Sequence, residues 1–245
     1  MRWIVTGMNG TVAPVLADAL RARGDEIVTW DRERVRVDHA PAVRAFVDAT
    51  APDGICHLAM GSPDWAAAMA GLCGQRGIPF LFTSSVSVFG PEQRGPLGIE
   101  ITPTATDDYG RYKRDCEVAV AGANPAALIP RLGWQIGHAP GSNNMVDHLV
   151  RAAGEGTVRA STDWFPSCAF LDDTAAALVD LLDRGDPGLF HLEGNPGLSY
   201  FEIVTQLART HRLEAHVVAT DDVVMDNRME DPRIHVRPIT ERLVS

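Results

Sequence analysis

Short apolar runs alternate with longer amphipathic ones along the first half of the chain. "RWIVT" is followed by an alanine-rich run from Thr11 to Arg23, "EIVTW" by Pro41 to Thr50, "GICHLA" by Asp64 to Arg76, and the series reaches "PFLFTSS". Short, nearly continuous apolar runs suit strands buried on both faces, and the longer runs suit helices that cover them. The alternation predicts βαβ units and a parallel sheet. A further short strand is predicted at "VRV", Val35 to Val37. From Tyr109 the pattern predicts a helix to about Ala121, a strand at "AALIPRL", and helices over Val146 to Ala153 and Asp172 to Leu182. A strand at "GLFHLEG", a helix over Ser199 to His211 and an acidic, loop-like "TDDVVMDNRMEDPR" are assigned to a smaller lobe.

The first predicted turn carries chemistry. In "TGMNGTVA" the small residues Gly7, Gly10 and Ala13 stand three apart between a strand and a helix. In that context the first glycine permits the tight turn, the second lets backbone approach a pyrophosphate, and the third small residue lets helix and strand pack closely. Asp31 closes the second strand, where a carboxylate meets an adenosine ribose, while Arg32 beside it could neutralise a 2′-phosphate. NAD or NADP is therefore expected, with NAD(H) preferred. Asp38 is expected either near the adenine or as the cap of the next helix. The full expected cofactor set is Gly7, Asn9, Gly10, Thr11, Asp31, Arg32, Asp38, Ala59 and Lys113.

A second group of residues suits carbonyl chemistry. Tyr109 and Lys113 in "DDYGRYK" are four apart and share a helix face, which fits an acid–base pair and equally fits a half-exposed tyrosine beside a solvated lysine. Ser84 and Ser85 end a buried strand, and open parallel sheets bind ligands beyond the carboxyl ends of their strands. Together Ser85, Tyr109 and Lys113 would form a carbonyl-reduction site: the phenol moves the proton, the serine holds the substrate oxygen, and the ammonium lowers the phenol's pKa.

With these motifs in place, the chain resembles the extended short-chain dehydrogenases/reductases, and among them the dTDP-4-dehydrorhamnose reductases. "TGMNGTVA", "SSVSVFG" and "YGRYK" match the family's glycine, serine and Tyr-x-x-x-Lys motifs, with Glu117 one helical turn beyond Lys113, where the family often carries a glutamate. "RLGWQIG" resembles the segment that sets a tryptophan, here Trp134, beside the sugar. "STDWFPSCAFLDDTAAAL", "FHLEGNPGLSYFEI" and "VRPITERL" resemble the family's later elements. The resemblance implies a doubly wound α/β Rossmann sheet with a small C-terminal substrate lobe, divided as residues 1–135 and 136–245, the lobe interleaved with the end of the core. It also implies reduction of a 4-keto group on a nucleotide-activated sugar, with Ser84, Ser85 and Trp134 at the substrate. A sugar-nucleotide epimerase or dehydratase and a non-catalytic dinucleotide-binding subunit are the alternatives. Two departures stand out: Val86 follows Ser85 where the reductases carry an aspartate, and the helix between "HLAMG" and "PFLFTSS" is trimmed. A monomer or weak homodimer is expected from that trimming.

Composition narrows the classes. The net charge of −10 argues against nonspecific nucleic-acid binding. Cys56, Cys73, Cys116 and Cys168 form no paired motif, the histidines have no ligand spacing, and no metal is expected. His57 and His191 are read as structural, and Asp172 and Asp173 as caps of the helix behind them. Without a signal-peptide layout or membrane-length apolar run, the expected location is the cytoplasm.

Overall fold

The computed structural model describes residues 1–243, so the last two positions of the expected lobe lie outside the described residues. Its first half runs β1 (Arg2–Thr6), α1 (Val12–Ala22), β2 (Glu26–Thr29), α2 (Ala40–Thr50), β3 (Gly54–His57), α3 (Pro63–Arg76), β4 (Phe80–Phe82), β5 (Ser84–Ser85), α4 (Asp108–Ala123) and β6 (Leu128–Leu132). The second half runs β7 (Trp134–Ile136), α5 (Met145–Ala153), β8 (Thr157–Ser161), β9 (Trp164–Phe165), β10 (Cys168–Phe170), α6 (Leu171–Arg184), β11 (Gly188–Leu192), α7 (Tyr200–Thr210), β12 (His216–Thr220) and β13 (Met225–Asp226).

The main sheet is parallel throughout, in the order β2-β1-β3-β4-β6-β11, with β5 carrying the line of β4 onward beside β6. Side chains of a strand point alternately to its two faces, and the two cores follow that alternation. Ile4, Ile55, Phe80, Phe82 and Ile129 pack with α2, α3 and α4. Trp3, Val5, Cys56, Leu81 and Leu128 pack with α1 and α6 on the other face. The fold is thus of Rossmann type, doubly wound as the alternation of runs predicts.

Local signals set the helix ends. Ser62 accepts a hydrogen bond from Trp65 N at 3.1 Å to open α3, with Pro63 at its first position, and Gly77 closes it at φ +62°. Asp107 caps α4 through Gly110 N at 2.9 Å. Ser199 and Glu202 form a reciprocal capping box on α7. Asp172 and Asp173 lie in the first turn of α6 without capping it; both receive hydrogen bonds from Arg242.

Two assignments are corrected. Val35–Val37 forms no strand, and β2 is the edge of the sheet. Val35 and Val37 tuck against the α2–α3 core while Arg36 turns out to pair with Asp38, so the alternation reports burial under a loop rather than sheet pairing. "GLFHLEG" is not a piece of the lobe: its residues form β11, paired with β6 at the other edge of the main sheet. The lobe is built on α5, α7 and three small parallel pairs, β7–β10, β8–β12 and β9–β13. It has its own core, with Met145, Leu149, Ile203 and Leu207 fully or almost fully buried. Among the described residues no helix is long and apolar enough to cross a membrane, and no cluster of side chains is suited to a metal ion.

Candidate active site

A cleft of about 610 Å³ lies over the carboxyl ends of β1, β3, β5 and β6, with the lobe as its far wall. Of the residues expected at a site, it brings together Gly7, Gly10, Thr11, Ser84, Ser85, Tyr109, Lys113 and Trp134. Asn9, Asp31, Arg32, Asp38 and Ala59 do not line it.

At one end is the glycine turn. Gly7 adopts φ +85°, and a Cβ there would lie 2.8 Å from the Leu58 carbonyl carbon and 2.9 Å from Ala59 N, so only glycine lets the β1 and β3 ends approach this closely. Gly10 N donates to Gly7 O at 2.8 Å and tightens the turn. Thr6 supports it from below: its hydroxyl oxygen accepts from the amides of Leu58 at 3.0 Å and Ala59 at 3.1 Å. The Thr6 proton is then free for His57 Nδ1 at 3.1 Å, which puts the histidine's own proton on Nε2. That Nε2 has no hydrogen-bond partner, and the ring meets Trp65 edge-on at 4.4 Å. Burial, aided by Lys113, pushes the His57 pKa down to about 3, so the ring is neutral. His57 is thus buried and neutral, but it is not the fully satisfied structural histidine expected, since only one of its nitrogens is hydrogen-bonded.

The first turn of α1 has no side-chain cap, which leaves its amides available to an anion. Thr11 instead accepts from Asn143 N at 3.2 Å, so the loop before α5 reaches across to the turn.

The residues expected near an adenosine do not gather in the cleft. Asp31 accepts a hydrogen bond from Glu33 N at 2.9 Å. Arg32 donates to Met60 O and stacks over Trp65 at 5.2 Å. Asp38 neither caps α2, a task taken by His39, nor faces the cleft; it pairs with Arg36 in solvent. Ala59 is buried beneath the turn, contributing its amide to Thr6.

The opposite half of the cleft holds the titratable groups. Ser85 ends β5 opposite Leu132 of β6, and its hydroxyl donates to Ser87 Oγ and accepts from Ser87 N, both at 3.1 Å. Lys113 is 4% exposed, and its Nζ donates to Thr83 O at 2.9 Å. Burial pushes its pKa down to about 8, against the pull of Cys116 and Glu117. It is the only lysine among the 22 basic residues of the chain. Tyr109 is 42% exposed as a residue, yet burial of its phenol raises its pKa and the Ser85 hydroxyl opposes the rise. The Lys113 ammonium, held on Thr83 O, lies 5.9 Å from the Tyr109 ring centre, and the net direction for the phenol is upward.

Behind this group Arg131 of β6 forms a buried two-pronged pair with Glu117 of α4, both bonds 2.8 Å. Its remaining arm meets His191 Nε2 at 3.1 Å, and His191 donates from Nδ1 to Leu97 O at 3.0 Å. Since arginine only donates, the tautomer of His191 is fixed, and its structural reading stands. On the lobe wall Trp134 stacks at 6.2 Å from Trp164 and 6.0 Å from Tyr200. Gln135, Trp164, Ser167 and Asn227 line the same wall. They carry no motif spacing and come from distant parts of the chain, Asn227 from the acidic segment read as loop; only the juxtaposition of β7, β9 and β13 identifies them.

The model for the RmlD substrate binding domain matches residues 63–240. The chain belongs to the RmlD substrate-binding domain family. Among the family's curated relatives, a dTDP-4-dehydrorhamnose reductase of Sinorhizobium fredii is 30% identical over 227 residues, covering 82% of this chain and 75% of the relative. One of the same name from Mycolicibacterium smegmatis is 27% identical over 208 residues, 78% of this chain but only 63% of the relative's length. Family resemblance extends to the fold. A dTDP-4-dehydrorhamnose reductase from Clostridium acetobutylicum superposes with a TM-score of 0.79 at 18% identity, covering 90% of this chain and 84% of its own. One from Bacillus anthracis, solved with NADP, gives 0.78 at 19% identity, covering 93% and 88%.

Proposed function

We propose that this chain is an NAD(P)-dependent oxidoreductase that reduces the 4-keto group of a nucleotide-activated sugar, with Tyr109 as proton donor. The observation that carries the proposal is one cleft with an uncapped glycine turn at one end and Ser85, Tyr109 and Lys113 at the other. Relatives named as reductases of dTDP-activated keto sugars support the substrate class.

The residues present fit a dinucleotide: the approach that only glycine allows at position 7 and the open helix N-terminus form an anion cradle. Gly7, Gly10, Thr11 and Lys113 would hold it, and when bound it supplies the hydride. Asp31 remains able to accept a ribose hydroxyl while Arg32 is engaged with Met60 and Trp65, which favours NAD(H).

On the protein side, Ser85 orients the carbonyl oxygen toward the phenol. Tyr109, with its pKa raised by burial, keeps its proton at neutral pH and delivers it from Oη to the oxygen that becomes the alcohol. Lys113 contributes positive charge beside the forming alkoxide. Trp134 covers the sugar, and the lobe shields the reacting carbon from water. In this reading residues 1–135 hold the dinucleotide and the catalytic group, and the later segment supplies most of the sugar wall.

Tyr109→Phe keeps the ring and removes the proton. Assayed with NADH and NADPH, it should lose turnover by a factor of about 10² or more while binding either dinucleotide as the parent does. Unchanged turnover would remove Tyr109 from the mechanism.

A further inference from the structure

Unpartnered polar groups gather beside the substrate half of the cleft. The side-chain oxygen of Gln135, the Ser84 hydroxyl and the indole N–H of Trp164 are buried without hydrogen-bond partners among the described residues, and all three residues line the cleft. Leaving such atoms unpaired destabilises a protein, so their convergence marks a place that a ligand completes.

Gln135 is the most informative. It is 6% exposed, and its NH2 group donates to Gly133 O at 3.0 Å, so the atom left over is the acceptor oxygen. It follows closely on Leu132, the register partner of Ser85, and it lines the same cleft as Trp134, whose ring stacks with Trp164 and Tyr200. An unused acceptor calls for a donor, and an aromatic wall suits the apolar face of a saturated ring. A sugar hydroxyl offers both together. Resting on the proposed keto-sugar reduction, we infer that Gln135 is a specificity-determining residue whose side-chain oxygen accepts a hydrogen bond from the ring hydroxyl beside the reacting carbonyl. A sugar lacking that hydroxyl leaves the acceptor buried and unpaired, and is disfavoured for that reason.

The test compares a nucleotide-activated 4-keto-6-deoxyhexose with its 3-deoxy counterpart. The parent protein should favour the hydroxylated sugar by about tenfold or more in kcat/KM. Gln135→Met keeps length and volume without an acceptor, and should bring the two sugars within about twofold of each other. Gln135→Leu also lacks the acceptor and should collapse the preference in the same way, which covers the case of a poorly folded Met variant. A preference unchanged by Gln135→Met, or an equal loss on both sugars, overturns the inference. Calorimetric binding of the same two sugars separates the two readings. Tighter binding of the hydroxylated sugar without reduction of either would refute the reductase and keep the role of Gln135. Binding of neither would overturn both.

Discussion

A buried ammonium is a liability unless its position requires one, and this chain places its single lysine there while meeting every other basic need with arginine. A guanidinium is larger and does not lose its proton in this range, so Lys113 supplies a compact cation whose charge can be tuned by burial. Its folded pKa of about 8 lies below its ordinary 10.5, so the unfolded chain binds more protons between those values. The resulting penalty is complete below pH 8 and fades as pH rises to 10.5, and stability from this residue increases with pH over that window. Lys113→Met lacks the titration. In urea unfolding, the stability of Lys113→Met relative to the parent should decline between pH 7 and 10.5, by up to about 3 kcal/mol. Because the chain has one lysine, reductive methylation with a carbon-13 label should give one side-chain signal, titrating near 8. A signal titrating at the ordinary lysine value would show that the ammonium is solvated.

Helix α4 carries Tyr109 and Lys113 on its first turns, and Glu117 fixes it to the sheet through Arg131. Glu117→Ala leaves Arg131, 3% exposed, with only the neutral His191 as a side-chain hydrogen-bond partner and the Phe89 ring beneath it, and should destabilise the fold by about 3–5 kcal/mol in urea. Pairing it with Arg131→Met should recover most of that loss, since both buried charges are then gone; no recovery would mean that the pair is not what anchors α4. The elements that place this helix were legible because their signals are local: a glycine turn, a serine strand end, and a tyrosine and lysine one turn apart. The lobe's helices were legible too, but its strand pairing was not, because β9 and β13 are two-residue strands whose partners lie some sixty positions away in sequence. The alternation at Val35–Val37 was correct about burial and wrong about pairing. Lys113 was found at the cleft, but not the carbonyl that holds it, Thr83 O, nor the burial that raises the Tyr109 pKa, since sequence spacing reveals neither.

Whole-molecule association depends on the surface left after the sheet is covered. In α3, Trp65, Ala66, Met69, Ala70, Leu72 and Cys73 are all buried against the core, and in α4 so are Cys116 and Val120. On the outer side of α4 the large exposed apolar residue is Val118, at 70%, with the charged Arg111 and Asp115 also exposed on that helix. A stable interface buries roughly 1,200–2,000 Å² with an apolar centre, and these helices offer a partner little of that kind. The net charge of −10 adds repulsion between copies, most strongly at low salt. Sedimentation at low micromolar concentration should therefore show a monomer, or a dimer that dissociates on dilution. Any dimer should weaken further as ionic strength is lowered. A dimer that persists at nanomolar concentration, and that Val118→Arg disrupts, would show that α3 and α4 pair across an interface despite their polar outer faces.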